Sequence, residues 1–411
     1  MKLEPYRRVL SLPGLRGLMA VGTLARIPVT ATGVALTLHV ARTLDEGFFK
    51  AGLVGAACTL GVAIGAPFAG RLMDRYGMRP VLVVTALAQV CFWPVAGLLP
   101  LWPLLGGALL AGLLALPVFG LTRQCLSAMV PEEQRRTAFS LDSILVELAY
   151  MVGPAFATAS FVLVGSSWTF AVIGLGMAAA GAALIALNPP IRTEEEAAEA
   201  AKAGRTAAPP RRSWLTVPML ALLLVTFSAT FLVAATELGV IAVLAENDAV
   251  GWTGLAIGLW CLWSLVGGFV YGGLPRGLPA PLLIGTMALL TLPLVLVTDW
   301  RWLILALVPS GLLCAPSLST TVETMSRWVP AQVRGEAMGL HGTAMTLGLA
   351  CATPSAGWVI DEAGAGWAFV LAGGVGVAVA VVSALVWRAN SRKAVSPVTE
   401  GTAEPVQTKV A

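Results

Sequence analysis

The ionisable residues in long apolar stretches of this 411-residue chain include Arg26, Asp142, Glu147 and Glu237. A charged side chain at the centre of a bilayer costs roughly 2.5–3.5 kcal/mol even on a lenient insertion scale, so it needs a partner or a role. An acid in such a place can pair with a cation, hold a proton or bind a charged ligand. The segments around these residues decide which of these roles each one can have.

Composition and hydropathy indicate that these segments cross a membrane. Of all residues 57% are hydrophobic and only 12% are charged, and the mean hydropathy is +0.83, which is typical of a membrane protein. A membrane-spanning helix needs roughly 20 apolar residues. We predict an all-α membrane protein with twelve such helices, at about 18–40, 51–70, 80–100, 103–125, 138–163, 168–188, 216–244, 253–273, 280–298, 302–325, 335–360 and 365–388.

The distribution of basic residues predicts the orientation. With the N-terminus placed in the cytoplasm, all but four of the 26 Lys and Arg fall in the cytoplasmic segments, the exceptions being Arg26, Arg42, Lys50 and Arg301. The positive-inside rule then places both termini in the cytoplasm, with a plasma membrane as the expected location. Because topology explains the basic charge, no nucleic-acid partner is expected.

The chain contains an internal repeat. VPEEQRRTAFSL from Val130 matches VPAQVRGEAMGL from Val329 at an offset of 199, and the segment from Ala51 matches that from Thr253 at an offset of 202. Six spans per repeat give both copies the same orientation, as in transporters whose site lies between two halves. We predict helix bundles at 1–187 and 214–388, a solvated linker at 188–213 in which EEEAAEAAKA can form a short helix, and a disordered tail at 389–411.

Residues for metal or cofactor chemistry are sparse. The six cysteines form no CxxC pair, the two histidines His39 and His341 are far apart, and no Gly-Lys dipeptide supports a Walker A loop. We therefore expect no metal, no cofactor and no enzymatic activity, and ordinary packing for both histidines. Without a nucleotide site, energy for transport would come from an ion or substrate gradient.

A polar loop motif directly follows the second predicted span. In GRLMDRYGMRP, residues 70–80, Gly70, Asp74, Arg75, Gly77 and Arg79 match the pattern Gly-x-x-x-Asp-Arg-x-Gly-x-Arg/Lys. By this motif and its place among twelve spans, the chain resembles the major facilitator superfamily. The resemblance implies two pseudo-symmetric six-helix bundles that rock about a central site, with this loop stabilising one state of a transporter.

A second motif lies in the fifth span. Gly153 and Pro154 match part of the pattern Gly-x-x-x-Gly-Pro-x-x-Gly-Gly, which in the superfamily is associated with exporters that exchange substrate for protons, and Ala149, Ala157 and Thr158 stand at glycine positions. The resemblance implies a monomeric secondary transporter in the lipid bilayer that exports a small organic compound against proton entry. Proton-coupled uptake of a metabolite, and a non-transporting membrane receptor or scaffold on the same fold, are the alternatives.

The resemblance also suggests partners for the charges inside the membrane. The first and fifth helices pack in the same half of this fold, and Arg26 and Glu147 lie about 12 and 14 Å from the cytoplasmic ends of these helices. We predict that they pair. Either Glu147 alternates between Arg26 and a proton, or the pair is permanent and only fixes helix packing. Asp142, about 6 Å from the cytoplasmic end, is expected to pair with Arg135 or Arg136.

The candidate site also includes Glu237 and two further residues, Arg123 and Glu323. Glu237, in the outer part of the seventh span, has no basic residue in its own span and is predicted to bind substrate or a proton. Arg123 and Glu323 lie near the inner ends of the fourth and tenth spans, which face each other across the cavity in the superfamily. We predict that these two residues form an inner gate.

Overall fold

The computed structural model describes residues 4–196, 198, 209–249, 252–274 and 276–395, and all regular secondary structure in them is helical. The predicted disordered tail beyond residue 395 and most of the predicted linker helix lie outside the described residues. The main helices are α1 (Glu4–Leu10), α2 (Leu15–Leu38), α3 (Gly47–Tyr76), α4 (Met78–Ala96), α5 (Leu101–Leu113), α6 (Val118–Met129), α7 (Arg135–Leu187), α8 (Arg211–Trp214), α9 (Val217–Glu246), α10 (Thr253–Gly272), α11 (Ala280–Thr291), α12 (Trp300–Ala306), α13 (Val308–Trp328), α14 (Arg334–Ala363) and α15 (Trp367–Val395).

These helices account for the twelve predicted spans. In the described part of the chain, nine helical segments are long and apolar enough to cross a bilayer, and α12 with α13 forms a tenth that is bent by 43°. The 53 residues of α7 include a break at Gly165, where φ is 78° and ψ is 175°, so α7 is long enough for two crossings. The segment from Ala280 to Leu296, which contains α11, is shorter but apolar. The predicted all-α membrane fold is confirmed.

Each half of the chain packs its own helices together. In the first half α2 packs against α7 and α3 against α5, and in the second half α9 packs against α14 and α15. Trp93 and Phe170 stack inside one apolar core, and Phe369 is fully buried in another. A third core contains residues of both halves, among them Met73 and Met338. This shared core lies at one end of the bundle, so the two halves are joined there.

We name this joined end, which holds residues 70–80 and 330–336, the inner end. Tyr6 Oη donates to the Phe269 carbonyl at 2.5 Å, and Thr137 Oγ1 donates to the Gly272 carbonyl at 2.5 Å. Within the described residues, every hydrogen bond between helices of the two halves lies in the inner part or the middle of the bundle. The halves are therefore bonded together at the inner end, whereas no hydrogen bond joins them at the outer end within the described residues.

Candidate functional site

A cluster of buried charges lies where α2, α6, α7 and α14 meet. Arg26 Nη2 donates to Asp142 Oδ1 at 2.5 Å, and Arg123 Nε donates to Asp142 Oδ2 at 3.4 Å. These three side chains are at most 5% exposed. Arg123 Nη1 also lies 3.3 Å from His341 Nδ1, and His341 Nε2 lies 2.9 Å from the Thr321 hydroxyl. We name Arg26, Arg123, Asp142 and His341 the central charge cluster.

The predicted pair between Arg26 and Glu147 is wrong, because Arg26 pairs with Asp142. Successive residues of an α-helix are rotated by about 100°, so positions 142 and 147 of α7 face directions about 140° apart. Asp142 does not pair with loop arginines either, since α7 begins at Arg135 and Asp142 lies about two turns inside it. Arg135 donates instead to the Ser127 carbonyl at 2.8 Å.

Glu147 lies on the face of α7 that packs against α10. Ser264 Oγ donates to Glu147 Oε1 at 2.5 Å and accepts from the Ala315 N–H at 3.0 Å, which links α7 to α10 and α13. Besides Ser264, the Cys314 thiol lies against the Glu147 carboxyl, and among the described residues no salt bridge involves this acid. The carboxyl is therefore placed at the contact between the halves without a cation to neutralise it.

Glu237 is partly buried in α9 and makes no hydrogen bond or salt bridge with any residue that the structure describes. Cys261 of α10 interacts electrostatically with both Glu237 and Glu147, so the two acids border the same region of the bundle. The role predicted for Glu237 in binding substrate or a proton stays a prediction.

Gly153 allows α2 and α7 to approach closely enough for the ion pair at the central charge cluster. A Cβ built on Gly153 would lie 2.0 Å from Thr30 Oγ1. The same hydroxyl donates to the Ala149 carbonyl at 2.9 Å. Pro154 follows inside the helix. In this structure the motif of Gly153 and Pro154 is therefore a packing motif that sets the distance between α2 and α7.

Asp74 closes the inner end by capping a helix of the other half. Its Oδ1 accepts from the Gly335 N–H at 3.0 Å and its Oδ2 from the Glu336 N–H at 2.9 Å, both in the first turn of α14. Gln124 Nε2 donates to Asp74 Oδ1 at 2.8 Å. The first N–H groups of a helix have no partner inside it and carry the positive end of the helix dipole, so they favour a carboxylate. The loop motif thus has a defined partner in the other half, the N-terminus of α14.

Glu336 forms a second contact at the inner end and binds two arginines. Arg71 donates to its two carboxylate oxygens at 2.7 and 3.0 Å, and Arg211, at the end of the linker, donates to Oε1 at 2.6 Å. On the other side of the linker, Arg334 donates to Glu196 at 2.9 Å. The linker, predicted to be solvated, is therefore attached to α14 at both of its described ends.

Glu196 also caps its own helical turn. Its N–H donates to Thr193 Oγ1 at 3.2 Å, and its carboxylate accepts from the Thr193 N–H at 2.9 Å, which is a capping box. Burial would raise the pKa of Glu196, but the hydrogen bonds from Arg334 and Thr193 outweigh it, and the pKa is lowered. The ionised Glu196 therefore stabilises the folded state fully above the ordinary pKa of a glutamate. This stabilisation is lost as the pH falls through the lowered pKa.

The predicted inner gate between Arg123 and Glu323 is wrong. Arg123 belongs to the central charge cluster, whereas Glu323 accepts from Arg327 Nη2 at 2.9 Å, one turn along α13. A partner four residues away in the same helix is always within reach, independently of how the halves pack. The carboxylates that join the two halves at the inner end are instead Asp74, Glu336 and, through Arg327 at 3.6 Å, Glu132.

The remaining residues of the loop motif shape the turn between α3 and α4. Gly77 has a φ of 82°, in the left-handed region that favours glycine. Arg75 lies over the Tyr76 ring at 5.1 Å, and Arg79 is exposed. Their contacts are local, so the motif acts on the other half through Gly70 and Asp74.

Gly70 permits the close crossing between α3 and α14. A Cβ built on it would lie 2.0 Å from the Gly335 carbonyl oxygen, whereas one built on Gly55 in the same helix would meet nothing within 4 Å. We expect Gly70→Ala to destabilise the closed inner end by about 1–3 kcal/mol, as overpacking does, and Gly55→Ala to leave it unchanged. Spin-label distances between Glu133 and Arg388 should lengthen in the first variant, and an unchanged distance would contradict this role.

The prediction of ordinary packing missed His341 as a partner of Arg123. The offset of 199 that aligns Val130 with Val329 also aligns Asp142 with His341. Both side chains contact the Arg123 guanidinium, one from each half. Comparing the charged positions of the two repeats would therefore have indicated His341 as the counterpart of Asp142 in the second half.

A sequence profile of the Major Facilitator Superfamily matches residues 18–278 and 253–410, which together cover most of the chain. A probable peptide/nitrate transporter of Arabidopsis thaliana is 29% identical over 118 residues, which are 28% of this chain and 24% of that protein. The chain thus matches about a quarter of the length of this curated relative. A match of this length supports membership of a shared family and does not extend to the substrates of the relative.

Solved structures share the fold over nearly the whole chain. The human organic anion transporter MFSD10 is 18% identical with a TM-score of 0.70, covering 90% of this chain and all (100%) of that one. A bacterial homologue of the iron transporter ferroportin in an outward-facing state is 16% identical with a TM-score of 0.71, covering 93% of this chain and 100% of that one. The chain therefore belongs to the Major Facilitator Superfamily, as a multi-pass membrane transporter and not an enzyme.

Proposed function

We propose that the protein exports a small organic compound in exchange for protons, by alternating access between two bundles at residues 1–187 and 214–388. The closed inner end is then the cytoplasmic end of an outward-facing state in a plasma membrane, and both termini are cytoplasmic. One chain contains the whole path between the halves, so the protein would act as a monomer.

The placement of Glu147 carries the proposal of proton coupling. Its carboxyl is bonded to Ser264 across the contact between the halves, and no cation pairs with it among the described residues. A carboxylate without a cation is costly inside a bilayer, so this contact favours the form that carries a proton. Separation of α7 from α10 during inward opening would break the bond, admit water and release the proton at the inner end. Glu237 is proposed as a second acid on the same path.

Glu147→Gln tests this coupling in proteoliposomes that are loaded with a panel of radiolabelled drugs, sugars and organic acids. The amide can keep a hydrogen bond with Ser264 but cannot release a proton. We expect acid-driven export to fall to background, while exchange of labelled for unlabelled substrate continues. Glu195→Gln, at an exposed acid of the linker, is the matched control and should behave like wild type. Full gradient-driven export by Glu147→Gln would rule out the carrier role.

The same assay decides the direction of transport. An external acid pulse drives a preloaded substrate out of oriented vesicles if protons enter by exchange. Accumulation of external substrate inside the vesicles under the same pulse would show that the protein takes up its substrate together with protons and does not export it.

A further inference from the structure

The central charge cluster contains one more positive charge than negative charge. Arg26 and Arg123 share the single carboxylate of Asp142. Arg123 interacts electrostatically with Asp142, Arg26, Tyr150 and His341, and Asp142 is the one acid named among these groups. Arg26 Nε is buried and has no hydrogen-bond partner. An unbalanced charge inside a membrane protein is costly, and a second anion would remove the imbalance.

Two aromatic rings lie next to the Arg26 side of this cluster. The Arg26 guanidinium carbon lies 5.3 Å from the centroid of the Phe119 ring, and Phe119 stacks on Tyr150 with centroids 6.1 Å apart. Tyr150 is 53% exposed and interacts electrostatically with both arginines. Going away from the guanidinium, Phe119 therefore comes first and the exposed Tyr150 second.

The direction that Tyr150 faces follows from its position on α7. Viewed down the axis of α7, Tyr150 is rotated by about 80° from Asp142, which contacts α2. It is rotated by about 60° from Glu147, which contacts α10. Since α2 and α10 belong to different halves, a side chain between these two faces points to the space between the halves. The exposed part of Tyr150 is thus reached from the substrate path and not from lipid.

We propose that the transported compound is a small organic monoanion whose carboxylate or sulfonate binds Arg26 and Arg123. This inference rests on the transport function proposed above. Guanidinium groups bind oxyanions through charge-assisted hydrogen bonds, and one such anion together with Asp142 balances the two arginines. Phe119 and Tyr150 turn aside to admit the charged group, and the apolar body of the compound then stacks on both rings. A neutral compound would leave the excess charge, and a cation would increase it.

Naphthalene compounds of similar shape and different charge test the inference in wild type. 2-Naphthoate, 2-naphthamide and 2-naphthylmethylammonium are titrated into the purified full chain in detergent, and binding is measured by calorimetry. We expect the naphthoate to bind about tenfold more tightly than the amide, or better, because the amide cannot form the charge-assisted bonds. The ammonium compound should not bind, and 2-naphthalenesulfonate should bind like the naphthoate. Equal binding of naphthoate and naphthamide would overturn the inference.

Variants of Arg123 test the same point on the protein side. Arg123→Gln leaves Arg26 and Asp142 as a balanced pair, so the protein should fold and lose its preference for the anion. Arg123→Lys retains the charge and should retain the preference. Arg301→Gln, at an exposed arginine near the outer end, is the control and should bind like wild type. An undiminished preference for naphthoate in Arg123→Gln would overturn the inference.

The outcome for the anion site can be separated from the outcome for proton coupling. Binding of naphthoate without acid-driven transport of any monoanion would support the anion site and reject the coupling. Acid-driven transport of amides or ammonium compounds, with no preference for anions, would support the coupling and reject the anion site.

Discussion

Replacing Asp142 with asparagine is expected to lower the free energy of unfolding by about 3–5 kcal/mol, the cost of breaking a buried ion pair by removing one partner. The substitution leaves Arg26 and Arg123 side by side, with side chains that are 1% and 5% exposed, and without a counter-charge. The midpoint of thermal unfolding of the purified protein in detergent measures the effect. Asp361→Asn, at an exposed acid of α14, is the control and should leave the midpoint unchanged.

A second substitution separates charge balance from packing. Arg26→Gln in the Asp142→Asn background removes one of the two unbalanced cations, so part of the lost stability should return. The double-mutant cycle isolates this interaction, because each single change also alters packing. A wild-type midpoint in Asp142→Asn would mean that the ion pair does not form in the folded protein. Strictly additive effects of the two changes would mean that Arg26 and Asp142 do not interact.

The helices and the loop motif could be predicted because their signals are local in the sequence. A run of about 20 apolar residues is enough to identify a span, and Gly70 and Asp74 are separated by one helical turn at the end of such a run. The twelve predicted segments are accordingly helical over most of their length in the described chain. The sequence does not state which helix N-terminus the Asp74 carboxylate caps, because that partner lies in the other half.

The ion pairs could not be predicted from depth alone. Pairing also depends on the rotation of each helix about its axis, and Asp142 and Glu147 differ there by about 140°. Gly153 supplied a clue, since a glycine marks a close approach of helices, and Asp142 shares its face of α7 while Glu147 does not. The contact of Glu147 with Ser264 depends on how the two halves dock, which no local pattern encodes.

Asp74→Asn is expected to open the inner end and to remove most of the transport activity. The carboxylate accepts from two backbone N–H groups of α14 with different oxygens, so an asparagine would turn its NH₂ group toward one of these donors. Loss of the charge also removes a favourable interaction with the helix dipole. We expect the equilibrium between the closed and the open inner end to shift by about 2–3 kcal/mol, roughly 30- to 150-fold. A transporter that cannot hold one of its two states cannot cycle efficiently.

Pulsed electron–electron double resonance measures this shift through the distance between spin labels at Glu133 and Arg388. The labels are placed in a background without the six native cysteines. Both positions are exposed at the inner end, one in each half. Asp74→Asn should add a population at longer distance, and Glu195→Gln, which removes an exposed acid of the linker, should not. If the distances in Asp74→Asn remain those of wild type, the cap is dispensable. The other contacts between the halves, among them Glu336 with Arg71 and Thr137 with Gly272, would then be sufficient to close the inner end.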